Sequence, residues 1–117
     1  MRTLFDMKNK LLSFLGICRR ARKLVIGAEA AAESVTGGKS RLVLYASDFS
    51  RGSLKKLRAA AEANGVEVLM LPVTKEELSL ALGRLSGALS VEDEGFAKKL
   101  REMIKSEQGG EFDENKS

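Results

Sequence analysis

Arg41-Leu42-Val43-Leu44-Tyr45-Ala46 is the stretch on which the fold turns. Four consecutive large apolar or aromatic residues are too few for a buried helix, and they leave no polar face, which is the pattern of an interior strand covered on both sides. A strand of that kind needs a helix layer above it and another below. The flanks supply helical patterns. Before the strand, the alanine-rich run from Ala28 to Val35 reads as a helix, because alanine gives up no side-chain entropy there, and Gly37 and Gly38 stop it. After it, Ser50 or Ser53 caps a helix with Leu54, Leu57 and Ala61 inward and Lys55, Lys56 and Arg58 outward, closed by Asn64 and Gly65.

Working further out, Leu4, Met7, Leu11, Phe14 and Cys18 recur at steps of three and four, so an amphipathic helix with Thr3 and Asp6 at its start is expected to end near Arg20. Leu24-Val25-Ile26 is a short strand-like run that Gly27 breaks. Val66 to Leu71 reads as a second apolar strand, and Pro72 ends its pairing because it has no amide hydrogen. Thr74 with Glu77 forms a capping box, with Val73 and Leu78 as its hydrophobic staple. Leu78, Ala81, Leu82 and Leu85 are expected on that helix's inner face. Gly87 to Val91 is a last strand, and Phe96, Leu100, Met103 and Ile104 mark a closing helix behind Glu92, Asp93 and Glu94. Strands alternating with helices predict one α/β domain over residues 1–106, with helices on both faces of a sheet. Residues 107–117, acidic and almost without apolar groups, are expected to form a frayed, disordered tail. The order of the strands is not readable from local pattern.

The 117 residues fit a single domain, and 44% apolar content is enough for one core. The chain has no histidine and one cysteine, which excludes serine–histidine–acid triads, cysteine–histidine pairs and internal disulfides. No catalytic role and no cofactor or metal is expected. No apolar run approaches the roughly 20 residues needed to cross a bilayer, and Met1 to Asp6 carries none of a secretory segment's apolar stretch. With Cys18 unpaired, a cytoplasmic location away from membranes is expected.

The net charge of +4 is unevenly spread. Residues 1–65 hold 13 Lys and Arg against 5 Asp and Glu, a balance of +8, whereas residues 66–117 hold 7 against 11, a balance of −4. Arg19, Arg20, Arg22 and Lys23 form the densest basic cluster, followed by Lys39 with Arg41 and by Arg51, Lys55, Lys56 and Arg58. Such clusters attract phosphate backbones. Cations at the end of a helix also gain from its dipole, which is the plainer account of the first cluster.

Three other features have plainer readings as well. Gly38-Lys39-Ser40 resembles the end of a phosphate-gripping loop, but the glycine required five positions earlier falls on Glu33, and the segment follows a helix rather than a strand. Asp48 stands just past a strand, where phospho-accepting aspartates occur, yet it has no acidic companions, so a loop or cap role is favoured. Cys18 falls on an apolar stripe and reads as a buried, inert thiol.

Taken in order, Arg19-Arg20-Ala21-Arg22-Lys23-Leu24, Val25-Ile26-Gly27-Ala28-Glu29, Leu42-Val43-Leu44-Tyr45-Ala46-Ser47-Asp48, Glu77-Leu78-Ser79-Leu80-Ala81-Leu82-Gly83-Arg84 and Gly95-Phe96-Ala97-Lys98-Lys99-Leu100 resemble the small RNA-binding proteins of the ribosomal superfamily whose archaeal members grip kink-turns. The likeness is nearest to its bacterial YlxQ-like branch. It implies a single-domain three-layer α/β/α sandwich with a small mixed central sheet, and non-catalytic binding of structured RNA, ribosomal RNA first, by a monomer associated with the ribosome or with translation factors. It also implies that RNA meets the start of the second helix and the loop before the fourth. The family's pattern there falls on Gly27, Glu29, Ala30 and Glu33. The glycine fits; Ala30 brings no base-edge acceptor, and Glu33 puts an acid where a phosphate-binding lysine is expected. Arg22 occupies a position where that branch tends to have glycine.

The expected RNA-binding set is therefore Arg19, Arg20, Arg22, Lys23, Gly27, Ala28, Glu29, Ala30, Pro72, Val73 and Thr74. Phosphate contacts and shape are expected to dominate, since none of these is aromatic. The alternative is a protein–protein adaptor of translation or RNA processing, docking through the acidic second half with Glu67, Glu76, Glu77 and the acids of the tail.

Overall fold

The structure, a computed structural model, describes residues 4–116, with side chains over 5–106. In chain order the elements are α1 Leu4–Arg20, β1 Leu24–Ile26, α2 Ala28–Thr36, β2 Leu42–Tyr45, α3 Arg51–Ala63, β3 Val68–Met70, α4 Lys75–Leu82, β4 Ala88–Val91 and α5 Glu94–Lys116. The expected Thr3 cap falls outside the described residues, whereas the stretch expected as a frayed, disordered tail, 107–117, is described as far as Lys116 and continues α5.

The four strands form one mixed sheet in the order β1-β4-β2-β3. The strands β2 and β3 are parallel, with Leu44 opposite Leu69, as a connection through α3 requires. Strand β4 runs antiparallel to both neighbours and fills the slot between β1 and β2; Leu24 and Leu42 both pair with Val91. Consequently β1, β2 and β3 all point their C-terminal ends toward one edge of the sheet, called here the upper end.

Alternation along β2 separates two cores. Leu42 and Leu44 join Leu11, Leu15 and Cys18 of α1, Leu78 and Leu82 of α4, and Ala97, Leu100 and Ile104 of α5. Val43 faces the other way, with Ala31 and Val35 of α2 and Leu57 of α3. The three-layer α/β/α sandwich follows, and the Arg41–Ala46 stretch is its interior strand, with Leu42, Val43 and Leu44 fully buried.

Local signals settle where the helices begin. Ser50 is the N-cap of α3, accepting from the Ser53 amide at 3.4 Å. Thr74 and Glu77 make the reciprocal capping box of α4, and Val73 and Leu78 are buried on either side of it. The end of α4 differs from the expected pattern. Gly83 adopts φ 72 as a left-handed C-cap and stops the helix at Leu82, so Leu85 never joins the inner face and is 82% exposed; Ala81 is exposed too.

Candidate nucleic-acid interface

The sheet's registry shows which expected residues meet. Gly27 donates its amide to the Ala88 carbonyl at 2.9 Å, Ala46 donates to Gly87 at 2.8 Å, and Ser47 donates to Val73 at 2.8 Å. The start of α2, the loop after β2, the loop before α4 and the loop before β4 therefore converge on the upper end. Lys23 lies at the other end: its carbonyl accepts from Glu92, while Arg41 donates to Val91. With the three residues of β1 between them, Lys23 and Gly27 are four steps of about 3.3 Å, roughly 13 Å, apart. The expected set is thus divided between two ends of the sheet.

At the upper end, Gly27 caps α2 with φ 119 and no side-chain hydrogen bond. An added Cβ there would meet nothing within 4 Å, so the demand for glycine is one of backbone angle rather than space. The first-turn amides of Ala28, Glu29 and Ala30 have no intrahelical partners, and such amides favour anions. Glu29 is exposed beside them and works against that attraction; Ala28 and Ala30 are half-buried.

Across the same end, Pro72 is half-buried, Val73 is buried in the core, and the Thr74 hydroxyl accepts from the Glu77 amide at 3.1 Å. The side chain of Val73 is therefore withdrawn from the surface, and Thr74 is committed to its cap. Exposed groups that the sequence reading passed over lie close by. The Gly83-to-Gly87 loop folds back along α4, with the Ser86 amide donating to Ser79 Oγ at 3.2 Å. It encloses an open cavity of about 480 Å³ lined by Asp48, Lys75, Glu76, Ser79, Leu80, Gly83, Arg84 and Leu85, so two carboxylates share it with two cations. Leu80, 79% exposed, and Leu85 give it an apolar wall, Lys75 and Arg84 give it two cations, and Arg51 opens α3 at this end of the sheet. Gly83 was the signal: a glycine after Leu82 ends a helix, which places Arg84 and Leu85 on a loop.

At the lower end, the chain leaves α1 by a double-bonded turn. Lys23 donates to the Cys18 carbonyl at 3.0 Å and Arg22 to Arg19 at 2.9 Å, with Arg22 left-handed at φ 61. This is a Schellman ending with arginine where glycine is usual, and the left-handed backbone costs an L-residue about 1–2 kcal/mol. The Arg19 guanidinium donates to the Leu82 carbonyl, tying α1 to the end of α4. Arg20, Arg22 and Lys23 are exposed, and among the described residues none of them forms a salt bridge.

The remaining candidates take structural places. Ser40 is buried and bonded to Ser90 Oγ at 2.7 Å, while Ser34 bonds Ser90 at 2.8 Å and Glu92 at 2.6 Å. Gly38-Lys39-Ser40 is the stop of α2 and the entry to β2. Asp48 Oδ1 accepts from the Lys75 amide at 2.8 Å. Burial pushes the Cys18 thiol up to about 11, with Asp93 adding to the shift. Glu67 pairs with Arg101 and Lys105, and Glu77 with Lys8, so two of the acids suggested for an adaptor are engaged within the chain. Among the described residues no group of three or more His, Cys, Asp or Glu is placed to hold a metal, and no helix is long and apolar enough to cross a membrane.

Comparison with known proteins agrees with this architecture. The chain is 28% identical over 97 residues to the RNA-binding protein YlxQ of Enterococcus faecium, covering 83% of this chain and 93% of that one. It is 30% identical over 95 residues to RNA-binding protein YlxQ of Bacillus subtilis strain 168, covering 77% and 90%. Among solved structures, a protein of unknown function from Bacillus halodurans superposes with a TM-score of 0.76 at 32% identity, over 82% of this chain and 97% of that one. The 15.5kD RNA binding protein of Giardia lamblia shares the fold with a TM-score of 0.66 at 21% identity, over 86% and 87%. The family described as Ribosomal protein L7Ae/L30e/S12e/Gadd45 matches residues 9–101, and the chain belongs to it, in the branch that includes the YlxQ proteins.

Proposed function

We propose that this chain binds structured RNA without altering it covalently, with ribosomal RNA as its target, and that it acts in the cytoplasm as a monomer associated with the ribosome. The observation that carries the reading is the convergence at the upper end of the uncapped α2 start at Gly27, the cations Lys75 and Arg84, and the exposed apolar wall of Leu80 and Leu85. Phosphate is attracted by the amides and cations, and unstacked bases find an apolar shelf beside them. Kinship with proteins named for RNA binding supports the same class of ligand.

Ala30 and Glu33 depart from the family's base-reading pattern, so affinity is assigned to phosphate contacts and shape rather than to base-edge hydrogen bonds there. Filter binding to transcribed ribosomal RNA over a salt series tests this. Replacing Lys75 and Arg84 with Gln should weaken binding about tenfold and reduce the log–log salt slope by about two. A salt-independent affinity, unchanged in that double variant, would refute the reading.

A further inference from the structure

We infer that the lower end of the sheet is a second phosphate-binding surface, one that takes the backbone of an RNA duplex while the upper end holds its own RNA segment. This rests on the RNA-binding reading and extends it from one contact surface to two.

The argument begins with charge left unmatched. Arg20 at the end of α1 and Arg22 and Lys23 on the turn after it are exposed, and Lys39 and Arg41 stand at the same end of the sheet, before β2. Because Leu24 and Leu42 pair with the same residue, Val91, the cations immediately preceding them flank β4. Two strand spacings of about 4.8 Å separate them, a distance that a phosphate backbone can bridge. The neighbouring carboxylates are already employed. Glu92 accepts from Ser34, Asp93 accepts from the Phe96 amide at 2.9 Å, and Glu67 and Glu94 pair with Arg101. Glu92 and Asp93 keep their charge, but among the described residues none of these cations forms a salt bridge with the acids beside it.

The conformation of Arg22 is the second observation. An arginine held at φ 61 where glycine would sit without strain is a local rule broken, and such breaks concentrate at functional positions. The left-handed turn projects a guanidinium from the corner between α1 and β1 and places it between Arg20 and Lys23 in sequence. Among the described residues no exposed aromatic ring stands beside these cations to stack an unpaired base, so a duplex backbone, which presents phosphates without unstacked bases, is the form of RNA this surface fits.

The test uses the full chain and a mixed-sequence RNA duplex of about 20 base pairs, followed by fluorescence anisotropy over a salt series. A lower-end variant (Arg20→Gln, Arg22→Gln, Lys23→Gln) should lose about tenfold in duplex affinity and about two to three in salt slope, and Arg22→Gly, which suits the turn and preserves folding, should show part of the same loss. Combined with an upper-end variant (Arg51→Gln, Lys75→Gln, Arg84→Gln), the loss should persist in full. Duplex affinity within twofold of the parent in the lower-end variant overturns the inference, as does a lower-end effect that vanishes in the upper-end background, which would mean a single shared surface. If only the upper-end variant loses ribosomal RNA, the RNA-binding reading stands and the second surface falls. If neither variant changes either affinity, both fall.

Discussion

Asp48 and Lys75, separated by the whole of α3 and β3, are joined by a 2.8 Å hydrogen bond from the Lys75 amide to the Asp48 carboxylate. The acceptor sits in the loop after β2 and the donor at the first residue of α4, so one contact fixes two of the loops that meet at the upper end. The carboxylate also satisfies an amide left open by the helix start and places negative charge at the positive end of the dipole. Asp48→Ala should therefore cost about 1 kcal/mol, read as a lower urea midpoint with unchanged slope. Asp48→Asn, which keeps the acceptor, should cost less than half of that. Equal losses in the two variants would assign the effect to charge alone.

Glu77 is held below its ordinary value of 4.5, first by the Thr74 backbone amide and next by its hydrogen bond from Lys8. A carboxyl whose value is lowered by folding adds stability that is present above the unfolded value and disappears as pH falls through the folded one. Urea midpoints measured from pH 6 down to about pH 3 should thus fall less steeply in Glu77→Gln than in the parent. Parallel acid limbs would show that the capping carboxylate contributes nothing to acid sensitivity.

The thiol of Cys18 is shifted the other way, from 9.0 to about 11, because burial disfavours the thiolate. Below pH 9 the group is neutral in both states and costs nothing. Between about pH 9 and about pH 11 the unfolded chain loses the proton and the folded chain keeps it, so stability declines across that window. The decline should be shallower in Cys18→Ala, after allowing for the constant loss from the smaller side chain. Native protein should also resist alkylation at pH 8 until denaturant is added.

Much of this architecture was legible because its determinants are local. The Leu42–Leu44 run, the Thr74–Glu77 box and the Gly37-Gly38 stop each act within a few residues, and each is found in its expected role. The insertion of β4 between β1 and β2 was not legible, since Val91 pairs with Leu24 and Leu42 through contacts far apart in sequence. The same long-range fact separated Lys23 from Gly27, although they are close neighbours in the chain. Leu85 was misplaced for a different reason: its spacing from Leu78 and Leu82 fits a helical stripe, but the left-handed Gly83 outranks periodicity and ends the helix first. Recognition of the Arg84–Leu85 loop depended on giving that glycine its due weight.

Arg22 sets stability against binding at one position. Its left-handed backbone disfavours any L-residue by about 1–2 kcal/mol, whereas glycine there gives back about 0.5–1 kcal/mol of that gain as unfolded-state entropy. Losing a cation near the α1 C-terminus offsets a few tenths more. Arg22→Gly should accordingly be more stable by about 0.5 kcal/mol, seen as a rise of about 2–4 °C in Tm. Its affinity for duplex RNA should fall at the same time. A variant that loses stability would show that the arginine side chain anchors the turn by its own contacts. One that gains stability while binding as tightly as the parent would show that the strain serves no phosphate.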